Sequence, residues 1–446
     1  MKKNKILNQI IIFILLFVTI TWFLDFNFKD KQFKFKKIKN LISKEKIISL
    51  KDFYTSIIDI NLTMVNKKNY IIDKKEISFS KYSNKFIKNR YYLDQDDTNL
   101  YFVNTLGELF YAKKKNYSKN NIELKKINTN FKTLIGKKFI YEYITVVKDI
   151  LIDNNKIYLS IVNDNNGCFY NSILIGKLNF QNVKFNKFIE INECKKRWNY
   201  STGGNLIKYK ENKLLLTVGD YNSYEDPNSE IKDDPQNINS FYGKILSIDL
   251  SNKKYRVISM GHRNPQGLYY DSKNDVIYST EHGPQGGDEI NININPDENK
   301  IVNFGWAISS YGEHYGAEEG TSELYRKNPS ENMGKYKHAP LYKSHKNYGF
   351  NEPFKFFTPS IGITEIIKVN GTKRNEIKLL VASMGDNKDE GDMTLHIIDI
   401  NNSHKELNHE KIYIAERIRD MIDLGNGSIL MSLESTGSIG LLENIY

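Results

Sequence analysis

Two short stretches hold the residue types best suited to chemistry. The first is Gly261-His262-Arg263-Asn264-Pro265-Gln266-Gly267-Leu268, and the second is Glu281-His282-Gly283-Pro284-Gln285-Gly286-Gly287-Asp288-Glu289-Ile290-Asn291. Between them Asp275-Val276-Ile277-Tyr278-Ser279-Thr280 is an apolar, β-branched run of the kind that forms a strand. A cationic side chain, two amides and a Gly/Pro loop rich in carboxylates therefore flank one strand. Gly283-Pro284 and Gly286-Gly287 permit turns that leave backbone carbonyls free to face a ligand. Carbonyl and carboxylate oxygens together suit a hard cation such as calcium. The same residues also suit a tight turn whose acids are merely solvated.

The elements that would position these groups repeat along the chain. A polar turn feeding a short apolar strand occurs at Asn99–Asn104, Lys156–Ile161, Lys213–Val218, Asp275–Thr280, Lys378–Ser383 and Ser428–Leu433. The starts are 57, 57, 62, 103 and 50 residues apart. Four strands with their turns need about 40–50 residues, so one copy per propeller blade fits, and the long gap holds an insertion that includes Asn303 to Asn351. Helical periodicity of any length is absent after the N-terminus. The fold expected is all-β, a six-bladed β-propeller over residues 81–446. The strand exits share small, acidic or amide residues: Asn163-Asp164, Gly219-Asp220, Glu281-His282, Gly385-Asp386 and Glu434-Ser435. If equivalent strands run the same way in every blade, these exits gather at one mouth of the central channel.

Ahead of the repeats, Lys2, Lys3 and Lys5 precede an apolar run from Ile10 to Leu24 with no small-residue cleavage site after it. That pattern predicts an uncleaved signal anchor, a transmembrane helix within residues 1–25, followed by a basic stalk and linker over 26–80. The net charge of +11 is concentrated here. Residues 1–50 hold eleven Lys against Asp25, Asp30 and Glu45, or +8, which leaves +3 for the other 396 residues. The body is nearly balanced, so a nucleic-acid partner is not expected. Six lysines after the apolar run outnumber the three before it, which by the positive-inside rule favours a cytoplasmic body. Two cysteines, Cys168 and Cys194, allow at most one disulfide and match no metal or redox spacing.

The run Gly261 to Leu268, the loop Glu281 to Asn291 and Asn303-Phe304-Gly305-Trp306 resemble the glucose/sorbosone dehydrogenase family. So, in order, do Gly243-Lys244-Ile245-Leu246, Thr358-Pro359-Ser360-Ile361 and Arg417-Ile418-Arg419-Asp420. The best-known members are soluble aldose dehydrogenases that use pyrroloquinoline quinone (PQQ) and are six-bladed propellers. The resemblance implies PQQ- and calcium-dependent oxidation of a sugar or alcohol. It places Arg263 and Asn264 at the quinone end, Ser360 among the cofactor contacts, and Arg417 and Arg419 on the cofactor carboxylates. The carbonyls of Gly283 and Pro284 would hold calcium. Without the family, Arg417 and Arg419 read as two exposed charges on one strand face.

Two positions depart from the family pattern. Ser201 stands where the family has its catalytic histidine, and a serine hydroxyl is a poor base near neutral pH unless activated. An expected cofactor-binding lysine aligns with Gly385, although Lys388 is close. His262, His282 and Asp220 are candidate substitute bases, each with a structural alternative as a motif, loop or turn residue. Two further readings therefore stand beside the dehydrogenase: a propeller binding module that has lost its chemistry, and a calcium-dependent lactonase-type hydrolase. The resemblance favours an inner-membrane anchor with the propeller in the periplasm, against the lysine distribution. A homodimer is a further expectation.

Overall fold

A computed structural model describes residues 60–445, apart from 222–232, 313–340, 386–391 and shorter loop stretches. Its described part is built of antiparallel strands, with two short α-helices at Phe131–Ile135 and Asp233–Gln236. Strands fall into six sets of four, each running from a central channel to the rim. The first blade is Tyr91–Gln95, Asn99–Asn104, Leu109–Lys113 and Asn121–Thr129. The second is Val147–Asp153, Lys156–Asn165, Cys168–Lys177 and Asn186–Glu190, and the third is Gly203–Tyr209, Lys213–Val218, Lys244–Asp249 and Tyr255–Met260. The fourth is Asn264–Asp271, Val276–His282, Asp288–Ile294 and Lys355–Phe357, and the fifth is Ile363–Asn370, Glu376–Ser383, Thr394–Asn401 and Glu406–Tyr413. The sixth joins Ile418–Asp423, Ile429–Leu433 and Ser438–Glu443 to an N-terminal strand, Lys75–Ser83. Innermost strands touch in order round the ring, and Ile418–Asp423 packs back against Tyr91–Gln95.

Each apolar repeat of the sequence is the second strand of its blade. These strands read as continuous apolar runs because both faces are covered by neighbouring blades. Leu379 belongs to the cluster between the fourth and fifth blades, and Leu380 to the cluster between the fifth and sixth. Leu214 and Leu216 likewise face the second blade, and Leu215 the fourth. Full burial of one such leucine contributes roughly 1.5–3 kcal/mol. Six such clusters, one per blade interface, make up the core among the described residues.

Polar staples join the innermost strands. Asp420 accepts from Leu93 N at 2.6 Å, Asp94 from Ile152 N at 2.5 Å and Asp149 from Leu206 N at 2.6 Å, each bond crossing to the next blade. Thr364 donates to the carbonyl of Ile418 at 2.7 Å and receives on its own carbonyl the hydroxyl of Thr280. Burial drives Asp94 and Asp420 up to about 7, against the pull of those amide donors.

One expectation is corrected. Residues 26–80 were expected to be stalk and linker, yet Ile60–Ile72 and Lys75–Ser83 form a β-hairpin, and the compact unit starts at Ile60. The hairpin was hidden by composition, because Ile60–Ile72 is mostly exposed and rich in Asn and Lys. Its second strand finishes the sixth blade, and its first strand pairs with Asn121–Thr129 at the rim of the first. The apolar run from Ile10 to Leu24 and the basic segment to residue 59 lie outside the described residues. Among the described residues no helix is long and apolar enough to cross a membrane. Cys168 is disulfide-bonded.

Candidate functional site

Strand register is what brings the two motifs together. Asn264–Asp271 and Val276–His282 are adjacent antiparallel strands, with Asn264 opposite His282 and Pro265 opposite Glu281. Residues 261–264 and 281–288 therefore share one end of the fourth blade. A register shift between Pro265 and Gly267 turns the inner strand there, and Gly267 runs so close to Thr364 that an added Cβ would sit 2.5 Å from its carbonyl oxygen.

Arg263 is 9% exposed and braced from several sides. Its amide donates to Glu281 Oε2 at 2.9 Å, and its guanidinium Nη1 donates to the carbonyl of His282 at 3.0 Å. Its own carbonyl accepts from Asp220 N at 2.8 Å. The guanidinium lies 5.9 Å from the centre of the Trp306 ring, whose Nε1 donates to Asp220 Oδ2 at 2.8 Å. His262 is wholly buried, with Ser259 Oγ at 2.7 Å from one ring nitrogen and Glu281 Oε1 at 3.4 Å from the other. Both its nitrogens are committed to holding the motif, as the structural alternative for that residue required. Asp220 is also wholly buried and serves as the bracket between Arg263 and Trp306.

The Gly/Pro loop is held by Asp288, which is wholly buried. One oxygen accepts from Gly283 N at 3.0 Å, the other from Ile361 N at 3.1 Å and Ile363 N at 2.9 Å. Ser360 accepts from Gly286 N at 2.8 Å, so its hydroxyl fastens the loop. The loop closes tightly on Gly312, where an added Cβ would sit 1.8 Å from the Pro284 carbonyl oxygen. Among the described residues no group of three or more His, Cys, Asp or Glu side chains is placed to hold a metal. The carbonyls of Gly283 and Pro284 alone would supply two of the roughly six to eight oxygens that calcium takes.

Arg417 and Arg419 approach the same mouth from the sixth blade. Arg417 Nη1 donates to the carbonyl of Met384 at 2.5 Å, and Arg419 Nη1 lies 3.4 Å from Gln266 Oε1. Gln266 then donates to Asn264 Oδ1 at 2.8 Å, an oxygen that also accepts from Gly203 N at 3.1 Å. That chain ties both arginine motifs to the Ser201 segment. Ser201 itself adopts a left-handed backbone, φ 47°, and its carbonyl accepts from Tyr221 N at 3.0 Å. Burial, together with the guanidiniums of Arg263, Arg419 and Arg417, drives His282 down to about 4 despite the opposing pull of Asp288. Lys388 and Asp386 lie outside the described residues.

Several participants escaped the sequence reading. Glu434, noted only as a strand exit, accepts from Arg419 Nε at 2.6 Å, with Arg90 Nη2 at 3.2 Å and Arg417 Nε at 3.6 Å. A small cleft, with a cavity volume of about 10 Å³, opens beside Arg263 and is lined also by Trp306, Ser309, His345 and Glu289. His345 comes from the insertion after the fourth blade's third strand. Its Nε2 is 2.9 Å from Glu289 Oε1, and its Nδ1 meets Ser309 Oγ. The pairing crosses 56 residues, and no spacing in the chain announces it. Only the position of a histidine inside an insertion facing the motifs was available as a signal.

The resemblance seen in the sequence holds in the comparisons. The family model described as Glucose / Sorbosone dehydrogenase matches residues 145–334, which contain the Arg263 motif and the Gly/Pro loop. An uncharacterized protein of Synechocystis is 26% identical over 258 residues, 54% of this chain and 56% of that protein. The aldose sugar dehydrogenase YliI of Escherichia coli is 29% identical over 126 residues, 25% of this chain and 30% of the relative. The chain thus spans about half the length of the first of these curated relatives and less of the second. Among solved structures, the PQQ-bound aldose sugar dehydrogenase of Streptomyces coelicolor superposes with a TM-score of 0.55 at 14% identity, covering 85% of this chain and 99% of that one. At that identity the likeness establishes the fold alone.

Proposed function

We propose that this protein is a PQQ- and calcium-dependent dehydrogenase that oxidises a sugar or alcohol, transferring hydride from substrate carbon to the quinone. The observation that carries the reading is the linkage of Arg263 and Asn264, through Gln266, to Arg419 and, through Glu434, to Arg417, with Arg263 beside Trp306. Arg417 and Arg419 share the carboxylate of Glu434, while Arg263 lies beside Glu281 and lines a cleft with Glu289. Planar guanidiniums suit the carboxylates of a flat ligand because they donate in pairs.

PQQ, when bound, supplies a quinone that accepts two electrons. Arg263 would face the oxygen on which negative charge grows, held rigid by Glu281, His282 and Asp220, so little reorganisation opposes that stabilisation. Arg417 and Arg419 would take the cofactor carboxylates, sharing their donors with Glu434. Asn264 aligns the motif through Gln266 and Gly203, and Ser360 keeps the loop closed. Gly283 and Pro284 would present carbonyls to calcium, a Lewis acid able to polarise the cofactor. Ser201 lacks the basicity of the histidine that it replaces.

The test is anaerobic mixing of the full-length protein with calcium and PQQ, followed by aldoses and alcohols, with the quinone absorbance recorded. Binding followed by bleaching is expected. Failure of the wild type to bind PQQ would overturn the cofactor assignment, and Arg263→Ala with unchanged PQQ affinity would remove that residue from the site.

The proposal includes a periplasmic propeller on an inner-membrane anchor. The disulfide at Cys168 supports an oxidising compartment, since such bonds are rare in reducing cytosol. A reporter fused after Tyr446 that is active only in the cytoplasm would refute that placement.

A further inference from the structure

The geometry points to a proton-accepting relay, Ser309–His345–Glu289, as the base of the site in place of the residue that Ser201 supplants. The inference rests on the dehydrogenase reading above, and it joins Ser309 and His345, which lie outside the sequence motifs, to Glu289 of the Gly/Pro loop stretch. Ser309, His345 and Glu289 all line the cleft that Arg263 also lines. All three are buried, at 0%, 1% and 5% exposure. Glu289 Oε1 fixes one imidazole nitrogen at 2.9 Å, and Ser309 Oγ meets the other. A carboxylate that orients an imidazole against a hydroxyl is an arrangement that raises hydroxyl reactivity wherever it occurs.

The competing candidates are occupied elsewhere. His262 does not line the cleft. Asp220 holds the Trp306 indole and does not line the cleft. Burial, with Arg263, Arg419 and Arg417 adding to it, opposes protonation of His282. His345 faces the opposite field. Burial alone would lower its pKa, but Glu289, Glu281 and Glu352 outweigh burial and raise it above the ordinary histidine value. The edge of its ring packs against Tyr311 at 5.1 Å, and the charged groups lining its cleft are Arg263, Glu281 and Glu289, together with His282. Asn291 donates to both Glu281 and Glu289.

The step is a proton transfer. The substrate O–H bond breaks, its proton passes to Ser309 Oγ while the serine proton passes to His345 Nδ1, and the electron pair stays on the substrate oxygen. Glu289 acts as a positioning residue, holding Nε2–H. His345 later releases the proton to solvent, and the two-electron oxidation belongs to the quinone chemistry proposed above.

Two readouts separate this inference from the cofactor reading. In the full-length apo protein with ¹⁵N-labelled histidines, the resonance absent from His345→Gln should titrate above the other cleft histidine. Glu289→Gln should lower its midpoint by about one pH unit or more. In PQQ-loaded protein, His345→Gln should slow quinone reduction by about 10²–10⁴ with unchanged PQQ affinity. The acidic limb of the wild-type rate profile should follow the NMR midpoint and move to lower pH in Glu289→Gln. Ser309→Ala, which removes one oxygen, gives a second slow variant should His345→Gln fail to fold. A His345 midpoint indifferent to Glu289→Gln, or full-rate reduction in both His345→Gln and Ser309→Ala, overturns the relay. If the wild type binds no PQQ, the function reading fails and the NMR result alone decides whether the His345–Glu289 unit exists.

Discussion

Glu434 gives the sharpest test of how the site is held. Its side chain is 4% exposed and faces Arg419, Arg417 and Arg90, whose side chains are 15%, 25% and 46% exposed. The more exposed Arg90 and Arg417 are screened by water, so each such pair contributes about 0–1 kcal/mol. Arg419 has no such screening, and removing one partner of a buried pair costs about 3–5 kcal/mol. Glu434→Gln keeps the shape and one acceptor, so the loss expected is about 3 kcal/mol, or about two decades in the unfolding constant. The assay is urea unfolding followed by intrinsic fluorescence, with and without PQQ. The apo variant should unfold at clearly lower urea, and PQQ should stabilise it more than it stabilises the wild type, because Arg417 and Arg419 no longer share their donors. The pH dependence has a definite sign. Burial raises the Glu434 pKa, but the guanidiniums of Arg419 and Arg90 outweigh it and hold it below the usual 4.5. Its stabilisation is therefore present above 4.5 and lost as pH falls through the depressed folded value, a loss that Glu434→Gln should not show. An apo midpoint equal to wild type, with no change in PQQ affinity, would refute the reasoning.

Two other outcomes follow from the channel and the loop. Asp94 and Asp420 are pushed by burial to about 7, so between about 4 and 7 the folded chain binds more protons than the unfolded one and stability falls as pH rises. Asp420→Asn should flatten that decline in thermal scans across this window. Asp288→Ala would leave the buried amides of Gly283, Ile361 and Ile363 without their acceptor. Unmet donors cost about 1–3 kcal/mol each, so a loss of about 3 kcal/mol or more is expected in urea unfolding.

The second strands of the blades were legible because burial on both faces leaves an uninterrupted apolar run, as in Leu214-Leu215-Leu216. The rim strands were not, since Glu406–Tyr413 is mostly exposed and carries the polarity of a loop. Innermost strands were blurred by register shifts, such as that between Ile363 and Ile366, which break the two-residue alternation. At the site, Arg263, Arg417 and Arg419 stood out because they sit in local motifs. Their counter-charge did not, because Arg90 meets Glu434 only after the ring has closed. The same holds for His345 and Glu289, whose meeting depends on how an insertion folds back over the fourth blade.

The strand Lys75–Ser83 completes a blade whose other strands are the last in the chain. On the ribosome this hairpin emerges ahead of the other described strands and must wait for some three hundred and fifty residues before its partner Ser438–Glu443 exists. Until then its edge is open, and the first and sixth blades have no shared wall. The arginines of the sixth blade reach the mouth only when that seam shuts. Synthesis of the C-terminus therefore acts as the timer of the site: a chain cut short before Ser438 would hold the Arg263 motif and the Gly/Pro loop yet lack the closed ring on which their convergence with Arg417 and Arg419 depends.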